Sequence, residues 1–139
     1  MSDQLRLSRY PETLAVVRLG PGAEVPAWAE SSSIFSVTAT ARETSVVCAA
    51  RNVPTKSVHQ RPFTAFEVEG PLDFALTGVL VSLLTPLAEA GISVFTLSTY
   101  DTDWILVPGD RAEAAEEAWR AAGHEVATAV PVKPKGRGR

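Results

Sequence analysis

Leu76-Thr-Gly-Val-Leu-Val-Ser-Leu-Leu-Thr-Pro-Leu-Ala88 sets Leu76, Val79, Leu80, Leu83, Leu84, Leu87 and Ala88 at i, i+3, i+4, i+7, i+8, i+11 and i+12. This is one apolar stripe at helical period, and a sheet or another helix must cover it. Gly70-Pro71 marks a turn ahead of the stripe, and Asp73 can cap the helix by accepting its free N–H groups. Pro86 bends the helix or ends its regular part, and Gly91 supplies the stop. Upstream, Phe63 to Val68 alternates apolar and polar residues and suits a strand.

Working downstream, Ile92 to Ser98 is β-rich, Thr99-Tyr-Asp-Thr-Asp103 is turn material, and Trp104-Ile-Leu-Val107 is a short apolar strand closed by Pro108-Gly109. Asp110 and Glu113 have capping-box spacing. A second helix follows, with Ala115, Ala118, Trp119 and Ala122 on its buried face, and Gly123 ends it. His124 to Ala127 makes a last strand. The order β-α-β-β-α-β predicts two helices on one face of a four-stranded antiparallel sheet, an α+β fold of ferredoxin-like type.

The first sixty residues are richer in strands than in helices. Leu5–Ser8, Leu14–Leu19, Ile34–Thr40 and Thr44–Ala50 read as strands, the last two joined as a hairpin through Ala41-Arg-Glu43. Val25–Ala29 suits one short helix with Pro26 in its first turn. About 60 residues make a marginal domain alone, so this half is expected to share a sheet or core with the other. Residues 130–139 are expected to be a disordered basic tail.

The chain has 139 residues, 45% hydrophobic and 21% charged, so it is globular in composition. One Cys and two His exclude an internal disulfide and leave little for a metal site. The net charge of −3 hides an asymmetry: Lys133 to Arg139 carries +4, leaving 9 basic against 16 acidic residues, −7, over positions 1–132. So acidic a body is not expected to bind nucleic acid. Met1-Ser-Asp-Gln-Leu-Arg6 lacks a signal-peptide core, and no apolar run suits a membrane span of about 20 residues. A cytoplasmic protein with no membrane partner is expected.

Chemistry is sparse. Cys48 lies mid-strand and reads as a buried, inert thiol. His59 sits in a polar linker and is expected in a solvated loop, while His124 can face the end of a helix. Asp101 and Asp103 can bind an ammonium or a hard cation, or Asp101 can simply shape its turn. Gly78, in the first turn of a strong helix, costs about 1 kcal/mol relative to Ala. It either permits close packing or lets a ligand carboxylate approach bare N–H groups. No nucleophile–base pair and no metal cluster stands out, so no enzyme activity and no cofactor are expected.

Gly70-Pro-Leu-Asp-Phe-Ala-Leu-Thr-Gly78 and Ser98-Thr-Tyr-Asp-Thr-Asp-Trp-Ile-Leu-Val107 resemble the ACT domain. More narrowly, they are similar to the subfamily shared by small bacterial ACT proteins and the animal arginine sensors called CASTOR. The resemblance divides the chain into a degenerate ACT-like half (1–61), an ACT domain (62–129) and the tail (130–139). It implies a non-catalytic regulatory protein, a homodimer, holding a small amino acid at an ACT–ACT interface. The alternative it leaves open is a protein–protein interaction module without a small ligand. By motif position, the ligand's amino and carboxyl groups would meet Asp73, Leu76, Thr77 and Gly78 at the helix start and Thr99, Tyr100 and Asp103 at the strand turn. Ser93 and Val94 would come from the facing unit. The arginine sensors carry an acidic residue where Leu76 stands, which favours a smaller or apolar amino acid over arginine.

Overall fold

A computed structural model describes residues 4–69 and 78–127. Its elements run β1 (Arg6–Arg9), β2 (Leu14–Leu19), α1 (Ala27–Glu30), β3 (Ser36–Ala39), β4 (Thr44–Ala49), β5 (Val58–Val68), α2 (Val79–Glu89), β6 (Phe95–Ser98), β7 (Asp103–Pro108), α3 (Ala112–Ala121) and β8 (Glu125–Ala127). The described residues divide into two compact units, one of residues 4–11, 64–69 and 78–127, the other of residues 12–63.

The first unit contains the expected β-α-β-β-α-β order as β5-α2-β6-β7-α3-β8. Both helices cover one face of its sheet: Leu83 and Leu87 from α2 and Ala112, Ala115 and Trp119 from α3 share a core with Phe66, Val68, Ile105 and Val107. The α+β, ferredoxin-like expectation therefore holds. The sheet itself differs from the four antiparallel strands expected. β1, counted by sequence with the first half, enters between β5 and β8. It lies antiparallel to β5, with Leu7 opposite Val68, and parallel to β8, with Leu7 opposite Val126. In this place side chains two apart share a face, so Leu5 and Leu7 both join the core under the helices.

Two helix boundaries also differ. A 3₁₀ turn at Gly109–Arg111 precedes α3, and no side chain caps that helix. Glu113, expected in a capping box with Asp110, is paired with Arg9 at 3.1 Å instead. The same guanidinium nitrogen meets Glu116 at 2.9 Å, which pins β1 to α3. Ala122, expected on the buried face, is exposed at the helix end, and Ala112 is buried in its stead.

In the second unit β2 lies between β4 and the start of β5, with β3 beyond β4. Ala15, Val17, Ala29, Val46, Cys48, Ala50 and Val53 form its core. The Arg61 guanidinium donates to the Ala50 and Val53 carbonyls, each at 2.8 Å, and so fixes the 3₁₀ turn at Ala50–Asn52. Cys48 is fully buried, as expected, and burial pushes its thiol up. His59 is not in a solvated loop. β5 already begins at Val58, and His59 is half-buried opposite Val17, with Nδ1 2.7 Å from the Ser57 carbonyl.

Candidate functional site

The β6–β7 hairpin organises the candidate site. Its strands pair antiparallel from Phe95 opposite Leu106 to Ser98 opposite Asp103. At the turn end of that ladder the Ser98 hydroxyl donates to Asp103 Oδ1 at 2.6 Å. The turn closes on itself: the Thr99 N–H donates to the Thr102 carbonyl at 2.8 Å, and the Thr102 N–H donates to the Thr99 hydroxyl at 3.3 Å. Such side-chain-to-backbone bonds hold a short polar turn without help from neighbouring elements. Thr102 is buried, and its hydroxyl donates to the Val68 carbonyl at 2.5 Å. The turn is thereby tied to the end of β5, where the chain leaves towards α2.

This geometry brings together three of the residues named from sequence, Thr99, Tyr100 and Asp103. Tyr100 is 84% exposed at the tip, and Asp103 is half-buried at the start of β7. Ser93 and Val94 lie exposed just before β6. Asp73, Leu76 and Thr77 lie outside the described residues. Gly78 is described, and it is not inside the helix. It is the N-cap of α2, in the left-handed conformation at φ 80°. A Cβ there would meet nothing within 4 Å, so Gly78 serves conformation and not close packing. The Gly78 carbonyl accepts the Ser82 N–H at 2.9 Å.

Ser98 and Thr102 are structural members of the site that sequence reasoning missed. Ser98 stands directly across from Asp103 in a two-stranded hairpin, a pairing readable once the turn is fixed at Thr99–Thr102. No sequence signal gives the Thr102 bond to Val68, 34 residues away. Among the described residues there is no group of three or more His, Cys, Asp or Glu placed to hold a metal ion. No helix among them is long and apolar enough to cross a membrane.

Residues 58–120 match the family model of an ACT domain, and residues 12–56 match a second model described as an N-terminal domain. Among solved structures the chain is similar to a structural-genomics target from Agobacterium tumefaciens, at 28% identity and TM-score 0.87, over 95% of this chain and 98% of that one. A protein of unknown function from Vibrio cholerae, described as a possible transport protein, aligns at 19% identity and TM-score 0.64, over 84% of this chain and 89% of the other. The regulatory subunit of aspartate kinase from Thermus flavus aligns at 10% identity and TM-score 0.60, over 84% and 95%. The last two similarities are similarities of fold. A search of curated proteins finds no significant match.

Proposed function

With residues 58–120 matching an ACT domain, we propose that this chain is a regulatory protein that binds a small amino acid at the β6–β7 turn and the start of α2. The observation that carries the reading is the self-closed turn with Asp103 at its mouth. Ser98 holds one carboxylate oxygen and so orients the group without neutralising its charge. An ammonium meeting that carboxylate forms a charge-assisted bond worth about 1.5–3 kcal/mol. The start of α2 is glycine-led, and the positive end of the helix suits the ligand's carboxylate.

The facing surface is that of a second copy of the chain. Val94, 38% exposed, and Ser93 lead into β6, whose pairing among the described residues is with β7. The solved structure from Thermus flavus is the regulatory subunit of an aspartate kinase, and a regulatory role carried over to this chain requires no catalytic group of its own. The ligand, the dimer, the absence of catalysis and a cytoplasmic location belong to this reading.

Thermal unfolding in the presence of each of the twenty amino acids tests it. A ligand that binds only the folded state raises the midpoint by mass action, by about 2.7 kcal/mol of stability at a hundredfold excess over Kd. The expected result is a concentration-dependent rise with at least one small or apolar amino acid. No shift with any of them removes the ligand and leaves an interaction module.

A further inference from the structure

His124 belongs to no part of the proposed ligand site, yet three elements meet at its ring. It is 5% exposed. It follows Gly123 at φ 97°, and its backbone N–H donates to the Trp119 carbonyl at 3.0 Å, so the end of α3 sets its position. Nδ1 lies 3.1 Å from the backbone nitrogen of Leu5, on the lead-in to β1. An amide nitrogen only donates, so Nδ1 carries a lone pair and the ring proton sits on Nε2. Nε2 faces the hydroxyl of Ser82, in the first turn of α2, at 3.3 Å. The Leu5 carbonyl in turn accepts the Glu125 N–H at 2.9 Å. The chain thus enters β1 through a reciprocal pair of bonds, one of which ends on an imidazole in place of a backbone carbonyl.

We propose that His124 is an acid-released latch: it seats the leading end of β1 beside β8 while its ring is neutral and lets go when the ring is protonated. A proton on Nδ1 sets N–H against N–H, which breaks the Leu5 bond and leaves a cation with little water around it. The charged groups on the surrounding elements are Arg6 and Arg9 from β1, Glu67 and Glu69 at the end of β5, Glu125 from β8, and Glu113, Glu116, Glu117 and Arg120 from α3. The described part of α2 carries no charge before Glu89. Four of those six carboxylates, Glu69, Glu113, Glu116 and Glu125, are answered by guanidinium groups. Arg6 spans Glu69 at 3.4 Å and Glu125 at 3.3 Å, and Arg120 holds Glu116 at 3.2 Å. β8 pairs with β1 over three residues, so the loss of one terminal bond is a large part of what holds the leading end.

Nitrogen-15 NMR of the full chain tests the latch without a ligand, so its failure and that of the amino-acid reading are separable. At neutral pH, His124 shows a bare Nδ1 and a protonated Nε2. His59, whose Nδ1 donates to the Ser57 carbonyl, shows the opposite tautomer and serves as the internal reference. Between about pH 8 and about pH 5, the range in which histidine titrates, exchange protection is compared after correction for intrinsic rates. The Leu5 and Glu125 amides lose protection about tenfold, the scale of one hydrogen bond, while Tyr10, bonded to the Ala65 carbonyl at 2.8 Å, keeps its own. In His124→Gln the loss disappears. A protonated Nδ1 on His124 at neutral pH, constant protection at Leu5, or the same loss in His124→Gln overturns the proposal. The tautomer and the acid response are read on the native protein, so the test stands even where the variant fails to fold.

Discussion

The indole N–H of Trp119 on α3 donates to the carbonyl of Leu83 on α2 at 2.8 Å, three residues before Pro86. Proline offers no N–H to the Ser82 carbonyl, and its ring crowds the preceding turn. The Trp119 bond gives the buried Leu83 carbonyl a donor from outside its own helix, and it joins the two helices that cover the sheet. The ring meets Phe66 edge-on, with centroids 4.9 Å apart, a geometry that adds to area burial.

Trp119→Phe keeps an aromatic ring and removes the donor. Losing that one hydrogen bond costs about 0.5–1.5 kcal/mol, whereas Trp119→Ala also opens a cavity and costs about 3–5 kcal/mol. Urea unfolding reads both as a lower midpoint at constant slope. A midpoint unchanged in Trp119→Phe would show that the bond contributes nothing.

Gly78→Ala reverses the sign that helix propensity alone assigns. A glycine inside a helix gains stability on conversion to alanine, but Gly78 holds φ 80° at the N-cap of α2. A Cβ in that conformation costs about 1–2 kcal/mol, and open space around it makes the cost conformational, not steric. Denaturant unfolding should show destabilisation. A more stable Gly78→Ala protein would place the residue inside the helix.

Acid weakens the second unit through Glu12. Burial raises its carboxyl pKa, but the Ser33 hydroxyl and the Arg51 guanidinium at 2.8 Å outweigh that and hold it below the usual range. The unfolded chain thus binds this proton more readily. The stabilisation is present above the unfolded pKa and is lost as pH falls through the folded one. Glu12→Gln should flatten the acid limb of stability against pH and leave its slope near neutrality unchanged. An acid limb of the same steepness in the variant would remove Glu12 from the account.

The β-α-β-β-α-β order was readable because its signals are local. The Leu76–Ala88 stripe, the Pro108-Gly109 break and the stops at Gly91 and Gly123 each act within a few residues. The insertion of β1 was not readable. Its partner β8 is three residues long and lies 119 positions away at Arg6 opposite Glu125, and apolar alternation at Leu5 and Leu7 states that a strand is half-buried without saying beside what. His59 was misplaced for a related reason. Gln60, Arg61 and Pro62 look like linker, yet backbone pairing with Val16 and Val17 carries them into β5. At the candidate site the turn residues were legible from Thr99-Tyr-Asp-Thr-Asp103. The hydroxyls of Ser98 and Thr102, which position them, depend on pairings that only the folded chain creates.

Isothermal titration of the native protein and of Asp103→Asn with the twenty amino acids tests the central claim most directly. The asparagine keeps the size of the side chain and an oxygen for the Ser98 hydroxyl, so the hairpin persists while the charge is lost. The account predicts binding of at least one small or apolar amino acid to the native chain, weakened about tenfold or more in Asp103→Asn, the equivalent of one charge-assisted bond. Heat of binding that is the same for both proteins, or no binding of any amino acid to the folded native chain, would contradict it.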